Sequence, residues 1–165
     1  MRILTTLILL LLAGAASGQG RCSAKAFSGF DFWLGDWTVK TADGTVAGQN
    51  RIDKRDGGCV LIERWSSASG GSGTSLNYFD VAADQWVQVW GGSGGSQIVI
   101  RGGLTDGSMV LTGTLTTVGD GSSVPFRGTW TPLEDGRVRQ FFEQSLDDGD
   151  TWQPWFEGFY EKAPP

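Results

Sequence analysis

Histidine is absent from all 165 positions of the sequence. Histidine is the usual general base of Ser-His-Asp and Cys-His nucleophiles, and it is a common ligand of haem and zinc. Its absence excludes those classes of chemistry. Two cysteines without a histidine or a tight C-x-x-C pair also make a poor metal cage. We therefore expect no metal site and no cofactor.

Positive charge is scarce. The chain carries 13 Lys and Arg against 18 Asp and Glu, which gives a net charge of −5, and the basic residues are scattered singly. Proteins that bind nucleic acid usually concentrate Lys and Arg on one face or in one stripe. The sequence therefore predicts no nucleic-acid partner.

Long apolar runs are missing beyond residue 20. The first 20 residues, MRILTTLILLLLAGAASGQG, place one Arg before an apolar run at 3–12 and small residues after it. This pattern is typical of a secretory signal peptide, with cleavage expected between residues 16 and 20. A retained membrane anchor is the alternative, but a span needs about 20 apolar residues. We predict a periplasmic or secreted protein without integral membrane association, its oligomeric state left open.

Residues 21–165 are enough for one domain with a core of its own. In an exported protein, Cys22 and Cys59 are candidates for a disulfide that ties the start of this domain to an early strand. Two unlinked thiols remain the alternative, because spacing alone does not show that the α-carbons approach within about 7 Å.

Turn residues divide this domain into short segments rich in β-branched and aromatic residues. Ten strands are predicted, at residues 37–41, 45–54, 59–67, 74–81, 85–91, 97–104, 108–118, 124–132, 137–146 and 151–161. The Asp-Gly pairs between several of them are strong hairpin signals, because Gly adopts positive φ readily. Short connections between successive strands predict an up-and-down antiparallel meander.

An open sheet of ten strands would leave two edges exposed, and closure removes them. We therefore predict an all-β fold, a single antiparallel barrel of the lipocalin or fatty-acid-binding-protein type. A two-sheet sandwich is the alternative. Residues 30–35 are predicted to form a short helical turn at a barrel mouth.

The segment Gly35-Asp36-Trp37, at the start of the first strand, resembles the G-x-W signature of lipocalins and related calycin barrels. In those folds the Trp closes one barrel end and the preceding turn covers it. The wider segments FDFWLGDWTV, CVLIERWSS, SLNYFD with WVQVWGG, and FRGTWTPLEDGRVRQFFEQSLDDGDTWQPWFEGFY are similar to a bacterial family of exported, lipocalin-like proteins of unknown function. The resemblance covers almost all of the mature chain, and it implies a fold rather than an activity.

An Asp-box pattern, S-x-D-x-G-x-T-W, runs from Ser145 through Asp147 and Gly149 to Trp152. Sialidases carry this pattern repeatedly on propeller blades, where it braces a hairpin. One copy in a chain too short for a propeller indicates a structural brace between the last two strands and no glycosidase role. The Gly-rich stretches 70–73 and 91–95 lack the Lys, the Ser/Thr and the following helix of a phosphate-binding loop, and are predicted to be hairpin loops at the barrel mouth.

Eight tryptophans suggest an aromatic interior. Alternation along residues 85–91 places Trp86, Gln88 and Trp90 on one face of a strand. If that face is the lumen, it forms an aromatic wall around an amide, suited to a planar or partly polar guest. The alternative is that the indoles fill the barrel or cover its outer face.

Charged residues inside strands form a second group. Glu63 shares a face with Trp65, and Arg139 shares one with Glu143. Together with Arg127, internal charges of this kind would orient a ligand carboxylate or hydroxyl. Solvated positions on the outer face are the alternative, since unpaired burial is costly. The residues could also divide between the two faces.

The sequence thus favours a non-catalytic protein that holds a small hydrophobic or aromatic ligand in the barrel. The predicted ligand-binding residues are Trp65, Trp86, Gln88, Trp90, Glu63, Arg127, Arg139, Glu143 and Tyr160. One alternative is a cofactor-independent decarboxylase, isomerase or hydratase with Tyr78 or Tyr160 as the acid, Glu63 or Glu143 as the base and Arg139 as a carboxylate clamp. Another is an envelope interaction module with a filled barrel.

Overall fold

A computed structural model describes residues 21–163, and the predicted signal peptide lies outside the described residues. Ten antiparallel strands follow one another around the sheet, and the first pairs with the last. They are β1 (Gly35–Lys40), β2 (Val46–Arg55), β3 (Val60–Ser67), β4 (Ser72–Asp80), β5 (Gln85–Gly92), β6 (Ser96–Thr105), β7 (Ser108–Thr117), β8 (Ser123–Pro132), β9 (Val138–Gln144) and β10 (Gln153–Lys162). The predicted all-β up-and-down barrel is confirmed, and the two-sheet sandwich is wrong.

Tight turns explain why the order of the strands in the barrel is their order in the chain. Between β6 and β7, Asp106 and Gly107 both adopt positive φ, at 49° and 81°. Two successive residues in this conformation make the hairpin turn whose twist matches that of the flanking strands. The pairing continues without a break from Thr105 opposite Ser108 to Ser96 opposite Thr117.

Three short 3-10 turns accompany the strands, at Lys25–Ser28, Asp31–Trp33 and Asp56–Gly58. The turn predicted at residues 30–35 is present as Asp31–Trp33, and the turn before it was not predicted. The segment 21–34 covers one end of the barrel, which we call the closed end. Within residues 21–163, none of the helices has the length and apolar composition that a bilayer span requires.

Aromatic rings fill the closed end. Phe30 stacks on Trp33 with centroids 4.9 Å apart, and its edge meets Trp130 at 5.1 Å. Trp37 of the G-x-W segment is buried and donates its indole N–H to the Trp33 carbonyl at 2.9 Å. Edge-to-face and offset aromatic pairs of this kind add stability beyond their buried area. The closed end is therefore solid core.

Three ties hold the segment 21–34 in place. A disulfide joins Cys22 to Cys59, whose α-carbons are 5.0 Å apart. Of the two alternatives from the sequence, a disulfide or two unlinked thiols, the structure shows the disulfide. Lys54 Nζ donates to the Asp31 carboxylate at 2.6 Å. Lys162 Nζ, near the chain end, donates to the Leu34 carbonyl at 2.6 Å and lies 3.6 Å from the centroid of a Trp37 ring.

Candidate functional site

The other half of the barrel interior contains a cavity of about 610 Å³. It reaches the open end, where residues of the turn between β3 and β4 and the start of β2 border it. Its aromatic walls are Trp65, Trp90, Phe142, Trp155 and Phe156. Its polar side chains deeper in the barrel are Glu63, Gln88, Gln140 and Tyr160. A cavity of this size, apolar with a few converging polar groups, is typical of a small-molecule site.

Two tryptophans lie flat against glycines on neighbouring strands. Trp65 of β3 lies over Gly48 of β2, where an added Cβ would stand 2.7 Å from the ring. Trp90 of β5 lies over Gly73 of β4, where an added Cβ would overlap the ring outright. Glycine allows this close approach because it has no side chain. The two glycines thus set the positions of two cavity walls.

A β-bulge gives the cavity its remaining wall. The pairing of β10 with β9 shifts between Pro154 and Phe156. A bulge interrupts the alternation of side chains between the two faces of a strand, and Trp155 and Phe156, although consecutive, both line the cavity. Glu157, the next residue, points outward and pairs with Arg139.

Glu63 is the buried carboxyl group of the cavity, with 4% of its surface exposed. Its Oε2 accepts a hydrogen bond from Ser75 Oγ at 2.6 Å. Ser75 Oγ accepts from Asn77 Nδ2 at 2.8 Å, and Asn77 Oδ1 accepts from Gln88 Nε2 at 2.8 Å. The neutral donors therefore form a chain that ends on the carboxylate.

A second chain of hydrogen bonds reaches Glu63 from β2 and β10. Asn50 Nδ2 donates to Glu63 Oε1 at 2.7 Å and also lies 3.1 Å from the Tyr160 hydroxyl. That hydroxyl donates to Gln140 Oε1 at 2.6 Å. Asn50 Oδ1 has no hydrogen-bond partner among the described residues. Cross-strand neighbours of the closed sheet thus assemble one continuous polar network.

Burial controls the ionisation of both acidic groups in this network. Desolvation raises the pKa of Glu63 from 4.5 to about 7, and the hydrogen bonds from Ser75 and Asn50 offset only part of it. Desolvation, with the nearby Glu63 charge, raises the pKa of Tyr160 well above its ordinary value. Tyr160 is therefore a neutral hydrogen-bonding group near pH 7, whereas Glu63 exchanges its proton there.

The structure brings together five of the nine predicted ligand-binding residues. Glu63, Trp65, Gln88, Trp90 and Tyr160 all line the cavity. Trp86 faces inward as expected, but it does not line the cavity. It lies at the closed end, where its indole N–H donates to the Ala26 carbonyl at 3.2 Å. Trp86 and Trp90 differ because four residues of a strand span about 13 Å along the barrel wall.

The other three predicted residues lie on the outer face, so a polar patch that includes them is wrong. Arg127 of β8 donates to Glu143 of β9 at 2.6 Å, and Arg139 of β9 donates to Glu157 of β10 at 2.6 Å. Both arginine side chains are 35% exposed. Arg127 and Glu143 are directly opposed on neighbouring strands, whereas Arg139 is opposed to Phe159 and reaches Glu157 diagonally across the sheet. Outward placement keeps these charges solvated and avoids the desolvation penalty of the lumen.

The Asp-box segment forms the hairpin between β9 and β10 at the open end. Ser145 Oγ donates to Asp147 Oδ1 at 2.7 Å and accepts from the Gly149 amide at 2.7 Å. Asp147 also accepts from the Thr151 amide at 2.8 Å. The Arg127 guanidinium lies 4.3 Å from the centroid of a Trp152 ring. These contacts brace a turn. The Gly-rich stretches 70–73 and 91–95 also lie at the hairpins of this end.

Several residues of the site, in the cavity wall or in the network behind it, were not among the predicted set. Asn50, Ser75 and Asn77 are buried polar residues of the network around Glu63. Asn50 alternates with Ile52 on β2 and Ser75 with Asn77 on β4, so their inward direction follows once the strand phase is known. Phe156 had no comparable signal, because its direction depends on the bulge. Among residues 21–163, no group of three His, Cys, Asp or Glu side chains is placed to hold a metal ion.

Comparisons with known proteins assign no family to this chain. No protein-family model matches it, and no curated protein matches it significantly. The barrel is consistent with a lipocalin-like fold.

Proposed function

We propose that this protein binds a small hydrophobic or aromatic molecule inside its barrel without transforming it. The cavity of about 610 Å³, walled by aromatic rings, is the observation that carries the proposal. The closed end is packed solid while the open end leads to the cavity, as a container requires. Polar side chains converge on Glu63 and offer hydrogen bonds to one end of a guest.

The disulfide supports the predicted export to the periplasm or the medium. Disulfides persist in oxidising compartments and are rare in the cytosol. The bond between Cys22 and Cys59 ties the N-terminal segment to the residue before β3. A binding protein in such a compartment meets its ligand outside the cytoplasm.

Fluorescence titration with N-phenyl-1-naphthylamine, a neutral aromatic probe, tests the binding function. Ala68 lies in the turn that borders the cavity, and Ala82 is another exposed alanine, in a turn at the closed end. We expect Ala68→Trp to weaken binding by about tenfold or more by filling the opening, and Ala82→Trp to leave it unchanged. Absence of binding by the wild type, or equal binding by both variants, would overturn the proposal.

Acid–base catalysis is a second candidate, and the proton exchange of Glu63 near pH 7 favours it. A catalytic acid or base is most effective when its pKa lies near the working pH. The rest of the predicted constellation does not assemble, because Arg139 and Glu143 lie on the outer face and Tyr78 faces outward beside the buried Asn77. Turnover that Glu63→Gln abolishes while probe binding persists would favour the enzyme over the container.

A further inference from the structure

Among the described residues, the cavity is lined by acidic side chains and by no basic side chain. Of the residues that line it within the described chain, Glu63 carries a carboxyl group and Tyr160 a phenol, and none is a lysine or an arginine. Arg127 and Arg139, which the sequence analysis proposed for the lumen, face outward and already have carboxylate partners. The side chains that line the cavity can therefore carry negative formal charge but no positive formal charge.

Glu63 also lacks a countercharge within its hydrogen-bond network. Its two oxygens accept from Asn50 and Ser75, which are both neutral. A buried carboxylate needs a paired positive charge to offset its desolvation, and hydrogen bonds from neutral donors offset only part of it. Asn50 Oδ1, in the same network, is a buried acceptor that has no donor among the described residues. Glu63 therefore faces the cavity as a buried carboxyl group whose hydrogen-bond partners are all neutral.

The aromatic walls add attraction of the same sign. Trp65, Trp90 and Trp155 surround the cavity together with two phenylalanines. The faces of aromatic rings carry partial negative charge and attract cations, with tryptophan the strongest. A cationic group in this space meets ring faces around it and a carboxylate deeper in the barrel.

From this arrangement we infer that the ligand class is a hydrophobic or aromatic body that carries a protonated amine. The inference rests on the proposed binding function. The amine forms an ion pair with Glu63, while the body of the ligand packs between the tryptophans. A carboxylate of the same shape meets Glu63 with no cation to balance either charge, so the cavity discriminates against it.

Binding then depends on pH in opposite directions for the two charge types. The groups that meet Glu63 in its network are Asn50 on β2, Ser75 on β4 and, through Asn50, Tyr160 on β10, and only Tyr160 among them titrates. An amine prefers the ionised carboxylate, so its affinity rises as pH increases through about 7. A carboxylate ligand prefers the protonated form, so its affinity falls over the same range.

Three probes with one indole body isolate the charge: tryptamine, tryptophol and indole-3-acetate. Isothermal titration calorimetry of the wild type at pH 8 is expected to give tryptamine an affinity about tenfold above that of indole-3-acetate, with tryptophol between them. At pH 5.5, where Glu63 is mostly protonated, the affinity of tryptamine relative to indole-3-acetate is expected to fall. Tryptamine binding near pH 7 also releases protons, which titrations in two buffers of different ionisation enthalpy measure.

Glu63→Gln keeps the size of the side chain and removes its charge, so it should abolish the preference and the proton release. Glu143→Gln removes a carboxylate from the outer face and should keep both. Equal affinities, a preference for indole-3-acetate, or a preference that survives in Glu63→Gln would overturn the inference while leaving the binding function intact. Failure of all three probes and of N-phenyl-1-naphthylamine to bind would overturn the binding function and the inference together.

Discussion

Glu63 is expected to make the protein less stable as pH rises, and Glu63→Gln tests this directly. The carboxyl is buried without a positive partner, and its pKa lies at about 7 in the fold against 4.5 ordinarily. A raised carboxyl pKa means that the folded state binds the proton more tightly than the unfolded state. The resulting stability is fully present below about pH 4.5 and is lost as pH rises through about 7.

The size of the loss follows from the two pKa values. Each unit of difference corresponds to about 1.4 kcal/mol, so the change from 4.5 to about 7 amounts to about 3 kcal/mol. Glutamine cannot ionise, and turning the Asn50 amide over would let its unpartnered Oδ1 accept from the new NH2 group. The free energy of unfolding of Glu63→Gln, relative to wild type, should therefore rise by about 3 kcal/mol between pH 4 and pH 8.

The assay is urea unfolding with the disulfide intact, followed by tryptophan fluorescence at several pH values. Glu143→Gln, on the outer face, is the matched control and should follow the wild-type decline. The comparison between variants cancels the contributions of groups that they share. Parallel stability curves for wild type and Glu63→Gln from pH 4 to pH 8 would refute the reasoning.

Three other perturbations probe the cavity wall, the closed end and the outer face. Gly73→Ala forces Trp90 out of its position, and we expect a destabilisation of about 1–3 kcal/mol in denaturant titrations together with a shifted tryptophan emission spectrum. Cys22→Ser removes a cross-link across 37 residues, which corresponds to about 4 kcal/mol of unfolding free energy; a loss below 1 kcal/mol would show that the remaining contacts hold the segment alone. Arg127→Ala breaks a partly exposed ion pair with Glu143, so we expect the free energy of unfolding to change by no more than about 1 kcal/mol and probe binding to stay unaltered. Weakened probe binding would contradict the outward placement of Arg127.

The strands and their order could be predicted because their signals are local. The bounds of all ten strands lie within two residues of the predicted ones. Turns such as Asp106-Gly107 depend on the conformational freedom of two neighbouring residues, and they determine which strands pair. The motif at Gly35 and Trp37 likewise predicted a tryptophan that seals one barrel end.

The sequence by itself left the two faces of each strand unassigned. Alternation shows that Trp86, Gln88 and Trp90 share a face and that Arg127 alternates with its neighbours, but only closure of the barrel decides which face is inside. The tertiary structure placed Glu63 in the lumen and Arg127 outside. The physical reason is that Arg127 meets Glu143 directly across the sheet, whereas Glu63 meets neutral donors from strands on both sides.

The cavity is likewise a product of tertiary structure. A bulge in β10 turns Trp155 and Phe156 inward together, which no periodicity in the sequence indicates. The position along the barrel axis then separates Trp86, packed under the N-terminal segment, from Trp90 at the cavity wall. The local sequence determined a β-meander rich in tryptophan. Closure of the barrel decided which of its residues line the cavity, because burial depends on contacts between elements far apart in the chain, such as β1 and β10.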